Sequence, residues 1–269
     1  MISKTKPNRS GALARRVQWR DLALMRPADG AVECLHPLPW LLGSWWSAGR
    51  EFWPAALVCS FMFFLTALRL NHEAIHGNLG FGPRAHRLVQ HGLSALMLGS
   101  NSAVGFNHLQ HHVHVGKQDD VEGKCGQMGG LRVLAYGPAF PIELHLAAWR
   151  RGGPILRRRM LVDLALNIAV ILTALVSGST VLLYHLLAVT CAQCLTAFFA
   201  VWITHRGCHG EELIARTQRP RLINFATYNM FFHLEHHLFP GVPVRRLGRL
   251  AARLDAALPE LAARARRVI

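Results

Sequence analysis

Acidic side chains are scarce in this sequence, and tyrosine and cysteine are few. Asp and Glu together number 15 against 30 Lys and Arg in 269 residues, and the four charged types make up only 17% of the chain. A soluble domain usually carries about 25% charged residues. Low charge combined with 51% hydrophobic residues excludes a disordered chain. Six cysteines spread over this length exclude a disulfide-stapled miniprotein, and nothing about them demands an oxidising compartment. Cys191 and Cys194 form a lone CxxC inside an apolar run, with no second pair to complete a zinc site, so packing explains them better. The sequence shows no internal repeat, no low-complexity linker and no apolar stretch close behind the first basic residues, as a signal peptide would require. What it has instead is a net charge of +15 on an apolar chain, which points to a membrane protein with cationic loops rather than a nucleic-acid binder.

Three stretches are long and apolar enough to cross a bilayer, which takes ~20 residues. They are 52–70 (FWPAALVCSFMFFLTALRL), 160–176 (MLVDLALNIAVILTALV) and 181–203 (VLLYHLLAVTCAQCLTAFFAVWI). The last two, separated only by Ser177, Gly178, Ser179 and Thr180, read as a helical hairpin with an uncharged turn. The plain alternative, two buried helices of a soluble core, is disfavoured because such helices rarely run this long without a polar face. Basic residues crowd 71–159 and 204–269 while the hairpin turn has none, so both basic segments are expected on the cytoplasmic side. The basic N-terminus (Lys4, Lys6, Arg9, Arg15, Arg16, Arg20) should lie there too. That requires an even number of crossings before residue 71, and 52–70 supplies one. The short run 38–48 (LPWLLGSWWSA) would have to be a second, partly inserted helix. The glycine-broken run 88–106 reads as a membrane-surface or shallow re-entrant helix. Near the C-terminus, Leu247, Leu250, Leu254, Leu258 and Leu261 recur at helical spacing among arginines. That is a basic amphipathic helix, resting either on anionic lipid or on the protein's own cytoplasmic face.

The 16 histidines cluster. His72 and His76 follow the first span at i, i+4, one face of a helix. His108, His111 and His112 form a second cluster, and His233, His236 and His237 repeat its spacing. One such pair is often chance; three clusters in one chain are not. The hairpin makes two crossings between the second and third clusters, so all three are expected at one membrane face. His205, at the end of the last span, is a ninth candidate, with His114, His209 and Asn229 weaker ones. Imidazole suits Zn, Cu, Fe and Ni. A single zinc takes four ligands, so eight or nine histidines imply two metals, and at a membrane surface that points to iron and dioxygen chemistry. Glu73, Asp119, Asp120, Glu122 and Glu235 lie close in sequence. Carboxylates there could hold the second nitrogen of a metal-bound imidazole, although solvated acids are the plain reading of Asp119, Asp120 and Glu122. HEAIH at 72–76 also matches the H-E-x-x-H of zinc peptidases. That alternative leaves two clusters unexplained and lacks the NPxPxxxLDG-like stretch of intramembrane metalloproteases.

NHEAIHG at 71–77, FNHLQHHVH at 106–114 and YNMFFHLEHHLFP at 228–240 resemble the three histidine boxes of the membrane fatty acid desaturase family, which includes hydroxylases and carotenoid ketolases. The resemblance covers roughly residues 40–245. It implies an all-α integral membrane protein with a histidine-rich di-iron cap. The parsing is a basic N-terminal segment (1–36), a desaturase-like membrane domain (37–245) and an amphipathic C-terminal helix (246–269). It implies two iron ions held by His72, His76, His108, His111, His112, His205, His233, His236 and His237. Glu73, Asp120, Asn229 and Glu235 are candidates for supporting contacts around them. Some relatives place an asparagine one helical turn before the residue matched by His205; here that position is Val201. The implied activity is oxygen-dependent desaturation or hydroxylation of a fatty acyl chain of a membrane lipid, with carotenoid ketolation or hydroxylation as the second reading. Electrons would come from a separate ferredoxin or b-type cytochrome with its reductase, since no haem-binding domain is fused to this chain.

Overall fold

The computed structural model describes residues 16–117, 119–208 and 214–269. Among these residues the chain is helical, with no strand beyond an isolated bridge between Thr217 and Arg267, so the expected all-α class holds. Short helices α1 (Arg20–Ala23) and α2 (Pro27–Leu35) lead into α3 (Pro37–Gly49) and α4 (Trp53–Ile75). Then come α5 (Pro83–Met97), α6 (Asn101–His114), a 3-10 turn over Gly123–Gln127, α7 (Gly130–Tyr136) and α8 (Ala139–Arg151). The long pair α9 (Pro154–Ser177) and α10 (Thr180–His205) follows. The cap ends with α11 (Arg221–Ala226), α12 (His233–Leu238), α13 (Leu247–Ala257) and α14 (Pro259–Arg264).

Helices α4, α9 and α10 are the three long and apolar enough to span a bilayer. α4 runs past its apolar stretch at the C-terminal end, to Ile75, whereas α9 starts six residues before its own, where Pro154 fits the first turn of a helix. The tight turn between α9 and α10 has a local cause. Gly178 takes the left-handed conformation (φ 61) that closes α9, and the Ser179 hydroxyl accepts from the Leu182 amide to open α10. Only 17% of the apolar window of α9 and 22% of that of α10 is buried in protein. The soluble-core alternative needs those faces covered; left in water they would exceed any patch a soluble monomer tolerates.

α3, which pairs with α4, contains the short run 38–48. Its 13 residues span ~20 Å at 1.5 Å per residue, short of a full bilayer. It packs along α4, and Gly43 permits the close approach, since a Cβ there would stand 3.2 Å from Cys59 Sγ. At one end of this pair buried Arg69 of α4 pairs with Glu33, whose carboxylate also lies 3.2 Å from His36 just before α3. At the other end Gly49 meets Val181 and the Trp53 ring lies 5.6 Å from Tyr184, beside the α9–α10 turn. The chain therefore leaves the histidine end along α3 and returns to it along α4.

The run 88–106 is not one helix. It forms the facing arms of α5 and α6, which fold back at Leu98 (φ 54) and Ser100. The turn is pinned between the long helices. Asp163 of α9 accepts from Ser100 Oγ and lies 2.6 Å from His91 Nδ1, while Gln193 of α10 donates to the Met97 carbonyl. Of the two resting places open to the C-terminal amphipathic helix, α13 takes the protein's own surface. Leu247, Leu250 and Leu254 share a core with Phe232, Leu234 and Leu238 around the third cluster. On the polar side of α13, Arg253 pairs with Asp21, and Asp255 with Arg219.

Candidate metal centre

Each histidine cluster sits at the end of a helix, and all meet at one end of the bundle. α4 runs on past its apolar stretch to carry His72, and His76 caps it. α6 carries His108, His111 and His112 in its last turns; α10 ends on His205; α12 carries the third cluster. The structure gathers all nine into two groups. His72, His76, His108, His112 and His236 bring ligand atoms within 4.8 Å of one another, and so do His111, His205 and His237. His233 flanks the second group, its Nε2 lying 2.8 Å from that of His205 and 3.1 Å from that of His237.

The division follows from helix geometry. Neighbouring residues on a helix point about 100° apart, whereas i and i+4 nearly coincide. His108 and His112 therefore go together and His111 departs to the other group; likewise His233 and His237 go together and His236 departs. A helix bearing HxxHH between two sites must serve both. His72 and His76, with no adjacent histidine, serve one.

The nitrogens face each other in a way that neutral protein alone does not favour. His111 Nδ1 lies 2.8 Å from Asp120 Oδ2, and His205 Nδ1 lies 2.8 Å from the Ile214 carbonyl. An oxygen acceptor at Nδ1 fixes the ring proton there, leaving Nε2 with its lone pair. Those two Nε2 atoms nevertheless stand 3.2 Å apart in the interior. His108 repeats the pattern: Nδ1 lies 2.9 Å from Glu122, and Nε2 points at His76 and His112, 3.1 and 3.2 Å away. Lone pairs facing at this range repel unless a cation lies between them. Nitrogens bound ~2.1 Å from one ion would stand about 3.0–3.4 Å apart for angles of 90–109°. The residues present fit a pair of metal ions.

Burial and charge act differently on the individual rings. Burial first, and crowding by neighbouring imidazoles second, hold His76, His112, His233, His236 and His237 below the ordinary histidine range. Both causes favour the neutral imidazole, the form that ligates metal. For His111 burial works downward, but the hydrogen bond to Asp120 and the charges of Glu122 and Asp120 outweigh it and raise its pKa. For Glu122 burial works upward and is outweighed by His108, His111 and His205, which bring the carboxyl down to about 2.

Among the candidates for supporting contacts, Asp120 alone hydrogen-bonds an imidazole. Glu73 accepts from the Val244 amide, with its other oxygen 3.5 Å from His72 Nδ1, beyond a hydrogen bond. Glu235 accepts from Thr217 Oγ1 and pairs with Arg219. Both adjoin a ligand in sequence, and on a helix adjacency turns the side chain about 100° away from it. They bind the scaffold together instead. Asn229 sits in the left-handed region (φ 64) at a turn, where its amide donates to the Asn224 carbonyl; among the described residues its side chain bonds no imidazole. Glu122, whose plain reading from the sequence is a solvated acid, lies in the same loop as Asp120 and holds His108 Nδ1. Asp119 and His114 pair with each other outside the groups, Asp119 about half exposed, and His209 falls outside the described residues.

Below the histidines runs a largely apolar cavity of about 440 Å³. His72, His108, His233 and His236 border one end, and Ser60 and Tyr184 the other. Gly137, between α7 and α8, packs so tightly on α10 that a Cβ would lie 2.0 Å from the Cys194 carbonyl oxygen, which closes one side. Leu57, Phe61, Leu187 and Phe199 line the cavity and are also exposed on the outer flank, so it opens sideways between α4 and α10. Val201, in the lining, makes the wall one helical turn before His205 apolar. This arrangement can hold a long apolar molecule with one of its carbons against a pair of metals.

Comparison with known proteins agrees. Residues 51–268 match the family model described as fatty acid desaturase, and a search of curated proteins finds no match.

Proposed function

The chain belongs to the fatty acid desaturase family, and from that premise we propose that it is a membrane oxidoreductase that desaturates or hydroxylates a fatty acyl chain of a lipid, using dioxygen and external electrons. The observation that carries this reading is the pair of buried imidazoles, His111 and His205, whose Nε2 lone pairs face one another at 3.2 Å. His72, His76, His108, His112 and His236 would hold one iron, and His111, His205, His233 and His237 the other. Bound iron supplies the activation of dioxygen needed to break an unactivated C–H bond. The protein's own share is positioning and exclusion. Asp120 and Glu122 keep a proton on Nδ1 of His111 and His108, so that Nε2 stays free to ligate. The walls of α4, α6, α8 and α10 align an alkyl chain and keep water from it.

The histidine end of the bundle lies on the cytoplasmic side in this reading, because the basic segments that flank it stay inside. Arg150, Arg151, Arg157, Arg158 and Arg159 belong to that basic flank and would steer an acidic electron donor of the ferredoxin or b-type cytochrome kind. A carotenoid ketolase or hydroxylase is the second reading, since the cavity lining is largely apolar and would take any long apolar substrate. A single-zinc peptidase built on HEAIH is not supported, since Glu73 is occupied by the Val244 amide and both its histidines join three others.

The test is product analysis of cells expressing the wild type and the variants His76→Ala, His111→Ala and His236→Ala, with the metal content of each purified protein. The expected result is about two iron atoms per wild-type chain, with oxidised lipid lost in every variant. Double variants should be hardly worse than singles, as for residues that act as a unit. Stoichiometric zinc without iron, or near-normal oxidation by His236→Ala, would overturn the reading.

A further inference from the structure

The end of the cavity remote from the histidines carries hydroxyls, in a wall that is largely apolar. Ser44 Oγ of α3 lies 2.8 Å from Ser60 Oγ of α4, and Ser60 Oγ lies 2.8 Å from the Tyr184 hydroxyl of α10. Hydroxyls inside apolar helices ordinarily satisfy themselves on their own backbone. Thr66, Thr173, Thr190, Thr196 and Thr204 all do so, each donating to the carbonyl four residues before it. Ser44 and Ser60 do not: they form a relay that ends on a tyrosine in the cavity wall.

Counting protons gives the relay a direction. Three hydroxyls bring three hydrogens to two links, so one hydrogen has no acceptor among the described residues. If Tyr184 donated inward, the orphan would be the hydrogen on Ser44, or on Ser60 if Ser44 donated to Ser60 as well; both serines are buried, and either would bear the desolvation cost. If Ser44 donates to Ser60 and Ser60 to Tyr184, the free hydrogen is the tyrosine's, on the cavity side. The Trp53 ring against Tyr184, with centroids 5.6 Å apart, holds the phenol in place.

We propose that Tyr184, oriented by Ser60 and Ser44, is a specificity-determining donor that binds an oxygen at the end of the substrate remote from the metals. The preferred substrate is then a long apolar molecule with a carbonyl, ether or hydroxyl oxygen ~18 Å from the carbon presented to the histidines, given the twelve residues of helix from Ser60 to His72. This deepens the proposed function and rests on it for the identity of the cavity as the substrate site. A chain ending in a methyl group fills the same space and leaves the Tyr184 hydrogen unbonded.

The experiment measures binding, with no oxidation step. Metal-loaded protein in lipid nanodiscs is equilibrated with radiolabelled 1-hexadecanol or hexadecane, and partitioning into protein-free discs is subtracted. The wild type should bind the alcohol about 5-fold more tightly than the alkane, the worth of one neutral hydrogen bond. Tyr184→Phe keeps the ring against Trp53 and should abolish the preference while leaving hexadecane affinity unchanged. Unchanged alkane binding also shows that the variant is folded. Equal binding of the two probes by the wild type, or a preference that survives Tyr184→Phe, overturns the proposal. Failure of the desaturase reading would appear in the product and iron assays instead, where this binding ratio plays no part.

Discussion

Replacing Asp120 by asparagine tests the centre more sharply than removing a ligand, because it changes one proton and almost no volume. Asp120 is 2% exposed, and both carboxylate oxygens are in use: Oδ2 faces His111 Nδ1 at 2.8 Å, and Oδ1 accepts from the Gly123 amide at 2.7 Å. Gly123 has no room to adjust, since a Cβ there would lie 2.1 Å from Oδ2. Asparagine offers one acceptor where three donors converge, since the Gly116 amide also donates to Oδ2 at 3.4 Å. If its oxygen stays on the Gly123 amide, its NH2 group meets His111 Nδ1–H, and the ring must shift its proton to Nε2. That removes the lone pair from the metal side. If instead the amide turns over, the Gly123 amide loses its acceptor. Losing a hydrogen bond to a charged group costs about 1.5–3 kcal/mol, which is a roughly 10- to 150-fold weakening of binding at 1.4 kcal/mol per decade. The assay is titration of metal-free protein with Fe(II) or Co(II) against a competing chelator. The expected result is a loss of that size for one of two ions only, with the other ion's affinity unchanged. Asp119→Asn, whose carboxylate is about half exposed and pairs with His114, should change affinity less than 2-fold. Wild-type affinity for both ions in Asp120→Asn would refute the argument that His111 is held as a lone-pair donor.

Two further outcomes follow from the same geometry. His76, His112, His233, His236 and His237 titrate lower in the folded protein than in the unfolded chain, so the unfolded state takes up more protons below its histidine pKa of about 6.5. Stability of metal-free protein should therefore be full above that pH and fall steadily from pH 7 to 5, as read by thermal unfolding; a flat profile would count against buried neutral imidazoles. Cysteines introduced at Leu109 and Leu222 should react with an impermeant reagent from the cytoplasmic side and one at Ser179 only from the opposite side; labelling of either of the first two together with Ser179 would undo the shared face.

Helical class, the three long helices, the nine histidines and their order were legible in the amino-acid sequence, because each depends on local spacing. An apolar run of bilayer length can be satisfied only as a helix in lipid, and i, i+4 imidazoles share a face in any helix. Even the division of the histidines between two sites is implicit in HxxHH, since consecutive residues diverge by about 100°. Tertiary structure decided whatever depends on distant segments meeting. The partnership of α3 with α4 could not be read from a run too short to cross alone. Residues 88–106 became two arms because Asp163 and Gln193, 60 and more positions away, hold the turn between them. The carboxylates that hydrogen-bond the imidazoles are Asp120 and Glu122, brought back to α6 by a loop, and not Glu73 or Glu235, which adjoin ligands in sequence but accept from the Val244 amide and Thr217 instead. Helical periodicity fixes direction about one axis; which groups meet at the end of that direction is settled only when the helices pack.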